Sequence, residues 1–199
     1  YHLVVLAASL SFASNALCAV TVTPASGGGS ISADTAANAA TPAWTSLGSI
    51  VIAEPANSKS DIGGGTLLLK APAGFQFNTA ITPSITRDAG GNITSASIAV
   101  TDSTTLTIGL TVLGSNSRDT LTIGGTTPLQ VRPIAGTPLR SGNIYRPTTG
   151  GGTAVISGLI ATANTDGSGG TSFAALQEVA GAAKQLALQT APPTTVSAG

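Results

Sequence analysis

The chain has 199 residues, only 8% of them charged, and its eight basic and eight acidic side chains cancel to a formal net charge of zero. Without a basic patch, nothing displaces counterions from a nucleic acid or grips an anionic membrane surface, so neither partner is expected. An apolar share of 42% likewise excludes disorder driven by charge and low hydrophobicity. A chain rich in Thr, Ser, Ala and Gly, with a modest stock of Val, Ile and Leu, suits many short strands joined by Gly-rich turns.

The chain opens on Tyr1 and holds no Met, so a lost front is expected. No Asp, Glu, Lys or Arg precedes Asp34, and Leu3–Leu10 forms an apolar run continued by Phe12 and Ala13. A run of this length fits the hydrophobic region of a secretory signal, whereas a bilayer span needs about 20 apolar residues. Residues 1–19 therefore read as a signal peptide. Small residues allow cleavage after Ala16, with Ser14 at −3, or after Ala19, with Leu17 at −3. A hydrophobic first strand or helix is the plainer alternative. Cys18 suggests a lipid anchor, but Leu17 before it is not small, which argues against lipidation. The expected product is secreted, extracellular at the cell surface, and not inserted in a membrane once cleaved.

Residues 20–42 read as a Gly/Ala/Thr-rich lead-in, with short strands at Val20–Thr23 and near Ile31. Residues 43–180 read as the folded module. Ile50-Val51-Ile52 is a β-branched run typical of a buried strand, and Thr66–Lys70 is the next strand after three glycines. Phe75 and Phe77 stand two apart and so share a face. Further strands are expected at Ser84–Arg87, Ile93–Thr101, around Leu121 and Ile123, at Leu129 and Val131 before Pro133, at Asn143–Tyr145 and at Thr153–Ile156. The clearest signal is Leu106, Ile108, Leu110 and Val112, whose period of two marks a half-buried strand. Asp88–Asn92 reads as a hairpin connection. Phe173, Leu176 and Val179 have the spacing of a short helix, interrupted at Gly181. Trp44 is expected in the core. The fold class is all-β, an antiparallel immunoglobulin-like β-sandwich preceded by a hydrophobic signal segment.

Chemistry has few places to reside. His2, the single histidine, and Cys18, the single cysteine, both lie in the export segment. Triad catalysis and His/Cys zinc sites are thus denied to a product cleaved after Ala19, and no disulfide can close within one chain. Most acids adjoin turn residues, which does not suit paired carboxylates. No catalytic, metal or cofactor-binding residue is assigned. Asn164–Gly169 has the oxygen-rich look of a calcium loop but lacks the bidentate Glu, so it reads as a flexible turn. Lys70, Glu54 and Asn143 supply the residue types of an intramolecular isopeptide, with nothing local to bring them together.

Two segments carry a resemblance. Leu47–Thr79, "LGSIVIAEPANSKSDIGGGTLLLKAPAGFQFNT", and Asp119–Ile144, "DTLTIGGTTPLQVRPIAGTPLRSGNI", resemble a β-rich module of very large bacterial surface and secreted proteins, over about residues 43–156. The tail Ala182–Gly199, "AAKQLALQTAPPTTVSAG", resembles the first strand and turn of a tandem immunoglobulin-like repeat, so 181–199 is expected to be a linker and the cut start of that repeat. The resemblance implies a non-catalytic structural or adhesive module acting as spacer or assembly unit. Its expected partners are neighbouring immunoglobulin-like domains of the same longer chain, with self-association through sheet edges also open. The alternative is a carbohydrate-binding module, for which few aromatic rings are available to stack on a glycan.

Overall fold

Short runs of Val, Ile, Leu and Thr between Gly, Pro and Asn become strands because each can bury only one face before the backbone must turn. The computed structural model describes residues 19–182. The strands are β1 (Thr21–Thr23), β2 (Ile31–Ser32), β3 (Thr45–Ser46), β4 (Ile50–Ala53), β5 (Gly65–Lys70), β6 (Phe75–Phe77) and β7 (Ile85–Arg87). They continue with β8 (Ile93–Asp102), β9 (Thr105–Val112), β10 (Thr120–Ile123), β11 (Gln130–Pro133), β12 (Ser141–Ile144) and β13 (Ala174–Val179). A single 3₁₀ turn, Ala33–Thr35, is the only helical element among the described residues. Residues 1–18 of the expected signal peptide 1–19, with His2 and Cys18, and residues 183–199 lie outside the described residues.

Four sheets form, in the orders β1-β4-β10-β7, β3-β11-β6, β12-β13-β2 and β5-β9-β8. All named pairings are antiparallel except β13 with β2, which is parallel and so departs from the expected all-antiparallel arrangement. Inward residues of every sheet join one core that includes Ile31, Ile52, Leu67, Phe77, Ile108 and Phe173, an arrangement compatible with a β-sandwich. Phe75 and Phe77 are both buried, as their spacing requires.

One corner transfers the chain between sheets. Ile50 lies opposite Ile123 and Ser46 opposite Gln130, so four steps on one ribbon match seven on the other. The surplus forms a bulge at Gly124–Pro128, where Ser84 Oγ accepts from Thr126 N at 2.9 Å and Thr127 N at 3.1 Å.

Several local expectations change. The Phe173–Val179 segment is strand β13, because Ala174, Leu176 and Glu178 alternate inward with exposed Ala175 and Gln177. The helical spacing held only if Glu178 faced solvent, and it is buried. Thr153–Ile156 is not a strand: it forms one bridge, Ile156 with Ile62. Asp88–Asn92 is not a hairpin, since β7 pairs with β10 and β8 pairs with β9, so the turn crosses between sheets. Trp44 is half-buried rather than in the core, its ring covered by the Arg132 guanidinium at 4.0 Å. Residues 20–42 are part of the fold: β1 pairs with β4, β2 pairs with β13, and Ala25, Ile31 and Ala36 are buried.

Candidate functional site

The densest polar cluster lies where β4 ends and β8 and β10 begin. β4 is apolar up to Ala53, and the chain then buries Glu54, which is 1% exposed. Glu54 Oε1 accepts from Ile62 N at 2.9 Å and Oε2 from Asp119 N at 3.0 Å. Its backbone donates to Asp119 O at 3.0 Å, and its carbonyl accepts from Arg118 Nη2 at 2.8 Å. Asp119 Oδ1 in turn accepts from Ile93 N at 2.9 Å, fixing the first residue of β8. Asn92 completes the cluster: its Oδ1 accepts from Asn116 N and Ser117 N, and its amide donates to the carbonyls of Lys59 and Ser117. Two loops, 55–62 and 113–119, are thereby tied to three strand ends.

Buried polar groups persist when each meets a partner, and here the partners are backbone groups that the loops would leave orphaned. Asp119 Oδ2 is a buried oxygen without a partner, as are Asp61 Oδ2 and Glu178 Oε1. Glu178 repeats the theme on β13, accepting from Arg140 N at 3.0 Å through Oε2. No pocket opens among the described residues, and no group of three or more His, Cys, Asp and Glu gathers there as a metal site.

Three other groups show what their surroundings do to charge. For Asp102, burial works against ionisation but is outweighed by hydrogen bonds from Thr105 and Thr104 and by the Lys70 charge, which hold its carboxyl at about 2. Burial pushes the Tyr145 phenol up, helped by the Asp166 charge. Asp166 is held below the usual carboxylate range by hydrogen bonds from the Ser168 backbone and side chain.

The residues singled out in the sequence do not converge. Glu54 belongs to the cluster above, Lys70 Nζ donates to Thr105 Oγ1, and Asn143 Oδ1 accepts from Ser172 Oγ at 3.1 Å. Three separate sets of partners leave no isopeptide geometry. Asn164–Gly169 is a turn held by its own groups: Asp166 Oδ1 accepts from Ser168 N at 2.9 Å, and Asn164 Nδ2 donates to Ser168 O at 3.0 Å. Its backbone also serves β12 and the β5–β6 connection, because Asn143 N donates to Asp166 O and Ala73 N to Thr165 O, both at 2.8 Å. Of the rings a glycan would need, Phe75, Phe77, Phe173 and Tyr145 are buried and Trp44 is half-covered by Arg132.

Sequence reasoning missed Asn92, Asp119 and Glu178. The available signal was position: in a chain with so few charges, an acid or amide at the junction of a turn and an apolar strand is well placed to satisfy the strand's first N–H groups. Comparison with protein-family models, curated proteins and solved structures returned no match. Among the described residues no helix is long and apolar enough to cross a membrane.

Proposed function

We propose that the chain is a non-catalytic structural module of an exported bacterial surface protein, an immunoglobulin-like sandwich that spaces or assembles neighbouring units. The observation that carries this reading is how the buried polar side chains are used. Glu54, Asn92 and Asp119 each accept from backbone N–H groups of loops or strand ends, which serves rigidity rather than chemistry. The apolar run Leu3–Leu10 supports export, and the two resembling segments support placement ahead of immunoglobulin-like repeats. The carbohydrate-binding alternative draws support only from Trp44, whose exposed side is limited by Arg132.

Antibody labelling of intact cells that produce the protein tests the reading. Labelling without permeabilisation, removed by brief external protease treatment, is the expected result. Label that appears only after lysis overturns the surface assignment.

A further inference from the structure

Strand β8 runs ten residues and bonds β9 along one side; on its other side only Ile93 N, held by Asp119 Oδ1, is hydrogen-bonded by a described residue, and Ser95–Val100 receive no such bond. Every second residue of such a strand aims its N–H and C=O away from the sheet, ready to pair. The other edges are short or already bonded. β1, β2, β3, β6 and β7 have at most three residues each. β12 receives Asp166 O on Asn143 N, and β5 is bonded along its outer side by residues 145–155.

Between Ser95 and Val100, β8 also lacks the features that blunt an edge. It contains no Pro and no basic residue, and its one charge, Asp102, stands at the last position. Its two register shifts fall between Ile93 and Ser95 and between Val100 and Asp102, leaving Ser95–Val100 regular. Toward the core, Ala96, Ile98 and Val100 pack on the hydrophobic cluster yet stay only half-buried. On the other face Ser95, Ser97 and Ala99 are small and exposed.

We infer that β8 is the docking edge for a second copy of this chain, through antiparallel β8–β8 pairing about a two-fold axis that joins the two three-stranded sheets into one. This rests on the assembly-unit reading and deepens it by naming the surface and the partner. The strand is complementary to itself. Opposed residues of an antiparallel pair share a face, so Ile98 meets the copy's Ile98 while Ala96 meets Val100 and Ser97 meets Ala99. The half-buried apolar residues of both copies then form one strip, and no charge faces a like charge. A contact this small is expected to be weak, with Kd on the order of micromolar.

The test is sedimentation of the full chain over rising concentration, with amide hydrogen exchange on the same samples. The apparent mass is expected to rise toward that of two chains. Within Ser95–Val100 the amides that point away from β9 are expected to slow by about tenfold at high concentration while those of β5 hold constant. The S97K/A99K variant sets lysines of the two copies against each other on the exposed face. It is expected to keep the wild-type circular dichroism and to lose both effects. A mass of one chain throughout, β8 protection that does not depend on concentration, or a dimer that survives S97K/A99K each overturns the inference; the second result would mean that the chain's own remaining segments cover β8. A monomer displayed on the cell surface refutes this pairing alone, whereas a dimer found only after lysis refutes the surface assignment alone.

Discussion

Along the outer side of β5 the chain meets its own backbone at almost every step. Lys70 exchanges bonds with Tyr145 at 2.8 and 3.1 Å, Leu68 N donates to Gly151 O, Thr66 O accepts from Ala154 N, and Gly63 N donates to Val155 O. Arg146 holds that strap in shape, its guanidinium donating to the carbonyls of Gly151, Gly152 and Ala154. Along the outer side of β8, two strands away in the same sheet, no described residue makes a backbone hydrogen bond beyond Ile93, whose N–H goes to Asp119 Oδ1. Soluble proteins often blunt an edge with Lys or inward charge. A chain with 8% charged residues has little charge to place, so β5 is closed with backbone instead. The contrast shows that edge protection at β5 is a matter of chain routing, and that none of the described residues is routed along Ser95–Val100 of β8.

The largest effect should come from breaking the covered edge. Gly152 sits in the strap with φ +87°, and a Cβ there would collide with Thr66 O and press on Leu68 Cδ1. The Gly152→Ala variant must strain its backbone and lift the strap from β5, so it is expected to lose about 3 kcal/mol in urea unfolding. Amide exchange should quicken at Leu68 and Lys70, giving β5 the open character of β8. Wild-type stability would mean the strap is not what finishes that edge. Next in size is Asn92→Ala, which leaves the loops on either side of β8's first residue without their clamp. A loss of about 2 kcal/mol is expected, with Ile93 exchanging faster while the strap amides stay protected.

How much of this contrast could be read beforehand depended on whether it was written in side chains. The period of two in Leu106–Val112 and the pair Phe75/Phe77 placed strands correctly, because burial of one face is encoded in residue type. The strap was not legible in this way. Thr153–Ile156 has strand composition and buries Ala154 and Ile156, but its place on the edge of β5 depends on bonds to Gly63 and to Thr66, which lies 87 residues before Thr153. β13 was misread because a buried Glu178 breaks the apolar alternation, and only the Arg140 backbone, 38 residues earlier in the chain, explains its burial. The buried cluster failed for the same reason: Asn92 and Asp119 look like turn residues until the two loops they join are brought together in space.

Smaller changes probe the β8–β9 turn, the end of the sheet where Lys70 of β5 and Asp102 of β8 both lie opposite Thr105. Thr101 of β8 and Thr107 of β9 share a hydrogen bond at 2.8 Å on the exposed face. Thr107→Ala should cost about 0.5 kcal/mol in urea unfolding, an ordinary cross-strand contribution. A loss several times larger would show that β8 relies on side-chain ties where β5 relies on its strap.

The last change, Asp102→Asn, keeps an oxygen that accepts from Thr104 N and Thr104 Oγ1, which reach Asp102 Oδ1 at 2.7 and 2.8 Å, and removes only the charge. Its value lies in the acid range. Burial opposes the Asp102 charge, but the Thr105 and Thr104 hydrogen bonds and Lys70, the last residue of β5, bring its carboxyl from the ordinary 3.8 down to about 2. A carboxyl depressed by folding stabilises the fold fully above 3.8 and loses that contribution as pH falls through about 2. Unfolding measured across that window should therefore show the wild type weakening with acid more steeply than Asp102→Asn, with the two curves converging at its lower end. Parallel curves would mean that the Thr105 and Thr104 hydrogen bonds and the Lys70 charge do not favour the ionised Asp102, and that the β8–β9 turn draws no strength from that charge.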